Sequence, residues 1–116
     1  MLNTKCFVGA ALLSFAVLLS SSGSFADAKA TYEETCASCH GSKGNGKGPL
    51  GATLSPRPAD FTDAKRMKKR TDAQLFAVIK EGGPAGGLNA SMAGYAGTLS
   101  DDQIKELVVY IRKFVK

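Results

Sequence analysis

Two thiols and an imidazole fall within five residues, at Cys36-Ala37-Ser38-Cys39-His40. On a helical turn, residues three apart point roughly the same way, so both sulfurs can add to the two vinyl groups of one porphyrin. The next residue then projects its ring toward the iron as proximal ligand. Cys-x-x-Cys-His is for that reason the attachment pattern of a c-type haem. Three other chemistries use part of it. A thioredoxin-like redox pair needs a βαβ setting, and no strand–helix alternation precedes Cys36. A structural zinc site needs four ligands, and beyond residue 26 the chain offers only Cys36, Cys39 and His40 of the usual types. A disulfide between Cys36 and Cys39 leaves His40 without a role and closes too short a loop to stabilise a domain much.

His40 is the sole histidine, so two imidazoles from one chain cannot ligate one iron. The sixth position falls to methionine, lysine, a terminal amine, water or nothing. Met67 lies inside the basic run Lys65-Arg66-Met67-Lys68-Lys69-Arg70, where its thioether would draw charged neighbours toward an apolar pocket. Met92 lies in a loop of Gly, Ala and Asn, where backbone can approach a flat ring, and is the preferred distal ligand. A soft thioether favours ferrous iron and raises the reduction potential. With both axial positions filled, outer-sphere electron transfer is expected and catalysis on the iron is not.

The elements that must position these residues are legible from local signals. Ala28, Ala30, Tyr32 and Glu33 suit a helix from Asp27 to about Thr35, with Tyr32 on the face of Ala28. Gly41 to Pro49 is too glycine-rich for a regular element and reads as an ordered tight loop passing close to the cofactor. Pro49, Pro56 and Pro58 impose a turn-rich path, along which Leu50, Leu54 and Phe61 are apolar anchors for the haem edge. The basic run reads as a solvated loop before a helix, or as a docking patch. Thr71 with Gln74 forms a capping box, Gly82 stops the helix, and Leu75, Phe76, Val78 and Ile79 make its buried face. Residues 82–97 form a second loop, carrying Met92 and the pocket candidate Tyr95. Ser100 with Gln103 caps the last helix, in which Ile104, Leu107, Val108, Ile111 and Val115 follow helical spacing. The fold class is all-α, three main helices whose long loops need something to pack on, such as a haem.

The 116 residues allow one domain. Lys5, the apolar run from Phe7 to Leu19 and the small residues ending at Ala26 read as a cleaved secretory signal over 1–26, leaving a haem domain at 27–116. The apolar run is short of a bilayer span, which argues against stable membrane insertion. Cleavage removes Cys6 and Lys5 and changes the formal charge from plus five to plus four. That modest excess does not read as nucleic-acid binding. As a patch, Lys65, Arg66, Lys68, Lys69 and Arg70 would steer an acidic redox partner.

Across residues 28 to 115 the chain resembles a class I c-type cytochrome, of the small bacterial periplasmic kind. The resemblance is carried by Tyr32-x-x-x-Cys36-x-x-Cys39-His40-Gly41, by Gly48-Pro49-Leu50, by Met92, and by Leu99-Ser100-Asp101 with Tyr110-Ile111-Arg112. It implies a cytochrome c-like fold around one covalent haem c, with Cys36 and Cys39 as thioethers, His40 as proximal and Met92 as distal iron ligand. It also implies that the Pro49 carbonyl accepts the His40 Nδ1 proton, and that Ala28 and Tyr32 cross the last helix near Leu107 and Tyr110. Family members commonly have Met-Pro, whereas Ala93 follows Met92 here. The implied function is a periplasmic monohaem electron carrier, not an enzyme, serving respiratory or dehydrogenase partners that dock at the exposed haem edge. A dedicated cytochrome subunit of one periplasmic oxidoreductase, and a ligand-binding haem protein with a labile methionine, are the alternatives. No heptad or broad apolar stripe argues against a monomer.

Overall fold

A computed structural model describes residues 25–116; the signal expected over 1–26 falls almost wholly outside the described residues. Helix α1 spans Phe25–Thr35 and runs directly into the four-residue α2, Ala37–His40, the Cys36 amide donating to the Tyr32 carbonyl at 2.9 Å. After the glycine loop and a 3-10 turn at Gly51–Thr53 come α3 (Ala64–Lys68), α4 (Asp72–Glu81), a second 3-10 turn at Gly83–Gly86, and α5 (Asp101–Arg112). No strand occurs among the described residues, and none of their helices is long and apolar enough to cross a membrane.

Both capping boxes form: the Thr71 hydroxyl accepts from the Gln74 amide and the Ser100 hydroxyl from the Gln103 amide, each glutamine reaching back to the cap. They fix where α4 and α5 begin by satisfying amides that a helix start leaves without partners. On α5 the stripe Ile104, Leu107, Val108 and Ile111 is buried, while Val115, beyond the helix end, is 36% exposed. On α4 only Leu75 and Val78 are buried; Phe76 and Ile79 are half-buried, Phe76 beneath the Lys80 ammonium.

α1 packs across α5 through an aromatic cluster. Tyr32, fully buried, lies 5.4 Å from the Tyr110 ring, 5.2 Å from Phe114 and 6.5 Å from Phe61. Ala28, one turn earlier, is buried beside it, so the face expected from the sequence is the packed one.

One segment departs from expectation, and another bears it out. Residues 65–70 do not form a loop: Asp63 caps Ala64–Lys68 as a short helix that turns Met67 into the core, 3% exposed, while Lys65, Arg66, Lys68 and Lys69 face solvent. The glycine loop is ordered, as expected, and its backbone packs on α2. A Cβ on Gly48 would meet the Ser38 carbonyl and one on Gly51 the Cys39 carbonyl. The loop is held there by bonds from Gly46 N–H to the His40 carbonyl (2.7 Å), Gly48 N–H to Cys39 (3.1 Å) and Leu50 N–H to Ser38 (2.9 Å).

Candidate functional site

Because α1 continues into α2, the two thiols and the imidazole sit on one helical path that ends at Gly41, whose φ of 82° only glycine adopts at no cost. All three side chains line one cavity of about 310 Å³, within the range of small-molecule sites. Cys36 and Cys39 carry free, half-buried thiols. Burial pushes the Cys36 thiol up, and its Sγ lies 3.4 Å from the Thr35 hydroxyl.

The His40 ring is fixed from two directions. It stacks on Phe61, centroids 4.6 Å apart and planes within 15°, and its Nδ1 lies 3.1 Å from the Ala59 carbonyl. A carbonyl only accepts, so Nδ1 carries the proton and Nε2 is left as a bare donor, the form a metal needs. Burial lowers the His40 pKa, opposed by that hydrogen bond, and so favours the neutral ring.

This corrects one expectation. The acceptor for His40 is Ala59, not Pro49. Pro49 is exposed, Leu50 is 59% exposed, and neither lines the cavity. Leu54, Phe61 and Tyr95 do line it. So do both methionines, so the reason given for setting Met67 aside does not hold: α3 brings Met67 to the cavity together with its neighbours Arg66 and Arg70. The two differ in packing. Met67 is consumed by core contacts, whereas Met92 is half-buried on a loop.

Sequence reasoning missed the arginines. Arg57, Arg66 and Arg70 all line the cavity, and Arg70 donates to the Gly86 carbonyl at 3.2 Å, so it is not a free surface charge. Two thiols, an imidazole with Nε2 bare, two thioethers, apolar walls and three guanidiniums make a donor set that fits a haem: thiols for the vinyls, nitrogen and sulfur for the iron, guanidiniums for the propionates.

Residues 23–111 match the family described as cytochrome c oxidase, cbb3-type, subunit III. The chain is 34% identical over 92 residues to cytochrome c-554(547) of Halothiobacillus neapolitanus, covering 77% of this chain and 94% of that one. It is 31% identical over 83 residues to the cbb3-type cytochrome c oxidase subunit FixPc of Rhizobium leguminosarum bv. viciae. That match takes in 72% of this chain and 25% of the relative, so the chain spans a quarter of that oxidase subunit's length. Among solved structures it is similar to the KustC0563 c-type cytochrome, with a TM-score of 0.65 and 31% identity over 78% of this chain and 99% of the other. It is also similar to a chain of the Kuenenia stuttgartiensis reducing HAO-like protein complex Kustc0457/Kustc0458, with a TM-score of 0.62 and 26% identity over 77% and 41% of the two chains.

Proposed function

The chain belongs to the c-type cytochrome family matched by the cbb3-type oxidase subunit III model, and we propose that it carries single electrons on one haem ligated by His40 and Met92. The observation that carries this is the convergence of Cys36, Cys39, His40 and Met92 on one cavity, with His40 Nδ1 already engaged by Ala59. The haem supplies a ferric–ferrous couple. The chain's own residues do the rest. Cys36 and Cys39 anchor the ring, and Ala59 and Phe61 hold the imidazole in one orientation and tautomer. Met92 would hold the iron from the loop and keep exogenous ligands off it. Arg57, Arg66 and Arg70 neutralise the propionates. Leu54, Leu75, Val78 and Leu107 exclude water from the ring, which lowers the reorganisation that each electron transfer requires.

Export to the periplasm with loss of residues 1–26 completes the proposal, with partner proteins docking where Cys36 and Cys39 reach the surface. Absorption spectra of the exported, haem-loaded protein test it. The expected outcome is sharp reduced c-type bands, a weak near-red sulfur-to-iron band in the ferric form, and no rapid carbon monoxide binding. Met92→Ala should lose the near-red band and Met67→Ala should keep it. The reverse pattern would make Met67 the ligand, and a protein that binds carbon monoxide rapidly would be a ligand-binding haem protein instead.

A further inference from the structure

Nothing in the covalent chain stiffens the loop just after Met92, since Ala93 stands there and is exposed. The loop backbone is nevertheless tied to the end of α4. Gly83 N–H donates to the Met92 carbonyl at 2.9 Å, Tyr95 N–H to Ile79 at 3.0 Å and Ala96 N–H to Lys80 at 3.0 Å. Those bonds all run to one wall of the cavity. Two side chains reach the others. Asn89 Nδ2 donates to the Ser55 carbonyl at 3.1 Å and the Pro56 carbonyl at 3.3 Å, more than thirty residues back along the chain. The Tyr95 hydroxyl donates to the Thr35 carbonyl at 3.2 Å, sixty residues back and next to Cys36.

Asn89, Pro56, Tyr95 and Thr35 all line the cavity, so both bonds bridge its walls. Asn89 also shapes the approach to Met92: its carbonyl accepts from the Met92 amide at 3.1 Å and its Oδ1 from the Ser91 amide at 2.8 Å. The methionine is thus bracketed, three residues before and three after, by side chains that reach two distant segments of the chain.

We infer that Asn89 and Tyr95 are positioning residues that latch the Met92 loop to the Ser55–Pro56 segment and to the end of α1, and so set how persistently Met92 stays on the iron. This rests on the reading of Met92 as the distal ligand. Without the latches the loop follows the end of α4 alone; with them, it opens only when bonds to two distant segments break together. Each bond is expected to shift the closed-to-open ratio about twofold to tenfold, and independent bonds multiply.

The test uses the exported, haem-loaded full chain. Asn89→Asp removes the donor while keeping an oxygen for the Ser91 amide, and Tyr95→Phe removes only the hydroxyl. Asn89→Ser, too short to reach Ser55, is the second variant at that position and checks for any effect of the added charge. Thr53→Ala, which removes an exposed bond to Leu50 outside the cavity, is the control. Stopped-flow mixing of ferrous protein with carbon monoxide reads loop opening, and the pH at which the near-red ferric band disappears reads sulfur ligation. Each latch variant should bind carbon monoxide about twofold to tenfold faster and lose the band at lower pH. The Asn89/Tyr95 double variant should approach the product of the singles, and Thr53→Ala should match wild type. If the latch variants match wild type while Met92→Ala abolishes the band, the latches are overturned and the ligation stands. If the band survives in Met92→Ala or is missing from wild type, the ligation reading fails and the latch inference with it.

Discussion

Tyr32 does two jobs with one side chain. Its ring fills the α1–α5 crossing, and its hydroxyl donates to the Gly41 carbonyl at 2.8 Å, fixing the point where α2 turns into the glycine loop. Burial pushes its pKa far above the ordinary phenol value, with smaller contributions from Cys36 and Tyr110, so it remains a donor throughout the pH range in which proteins are stable. The Gly41 carbonyl also accepts from the Gly44 amide at 3.0 Å, so removing the hydroxyl does not orphan it. Tyr32→Phe should therefore cost only about 1 kcal/mol, the net worth of one hydrogen bond. Tyr32→Ala, which empties the cluster, should cost about 3–5 kcal/mol. Guanidinium titration of both variants in the same haem and redox state reads the difference. Equal losses would mean that the hydroxyl, not the ring, holds the crossing.

Among the elements, α3 depends most on its surroundings. Five residues make too few internal bonds to persist alone. Arg112 of α5 closes its open end: Nη1 donates to the Met67 carbonyl and Nη2 to the Arg70 carbonyl, both at 2.6 Å, while Nε donates to Asp72 Oδ1 at 2.9 Å. One planar fork thus joins α3, the start of α4 and α5. A lysine ammonium cannot span three acceptors on two sides. Arg112→Lys should cost about 1.5–3 kcal/mol, the range of charge-assisted bonds. Lys80→Ala, which breaks the solvent-accessible Lys80–Asp101 pair and lifts the ammonium off Phe76, should cost less. Denaturant midpoints rank the two, and a larger loss from Lys80→Ala would refute the importance given to the fork.

The sequence made some of this legible and hid the rest for a physical reason. Helix starts at Thr71 and Ser100, the stop at Gly82, the Cys36–His40 turn and the α5 stripe as far as Ile111 depend on residues within four positions of their neighbours, and the structure agrees with each, whereas Val115 falls beyond the helix end. The acceptor for His40 lies nineteen residues away at Ala59, and a carbonyl's position carries no side-chain signature. The helix at Ala64–Lys68 looks from its sequence like a solvated charge run. It exists because Met67 is buried and Arg112 caps it, and both are tertiary facts. The Asn89 and Tyr95 contacts were invisible for the same reason.

At the scale of the whole molecule, charge is divided along the chain. From Gly41 to Arg70 the chain carries Lys43, Lys47, Arg57, Lys65, Arg66, Lys68, Lys69 and Arg70 against only Asp60 and Asp63. α1 and α5 hold Asp27, Glu33, Glu34, Asp101, Asp102 and Glu106 against Lys29, Lys105 and Arg112, with Glu33 paired to Lys29 and Asp102 to Lys105. The separation gives a potential that draws anionic reactants to one side. Arg70 is bonded to the neutral Gly86 carbonyl and keeps its charge, while Lys68 and Lys69 are exposed. Lys68→Glu with Lys69→Glu should slow oxidation of the ferrous protein by ferricyanide severalfold at low ionic strength. The gap should close as salt shortens the Debye length to about 10 Å at 0.1 M. A salt-independent deficit would mean that the substitutions had altered the haem site itself.

The two sides of the cavity are assembled over very different lengths of chain. The glycine loop returns to α2 within about a dozen residues, whereas the Met92 loop meets Thr35 across sixty. Closing a short loop forfeits less chain entropy than closing a long one. Loop entropy therefore predicts an order for these two walls: the His40 wall, closed by its own neighbourhood, forms before the Met92 wall. Opening is predicted in the reverse order. With the haem held as proposed by Cys36, Cys39 and His40, a chain opened on its methionine side would keep the cofactor around which it can close again.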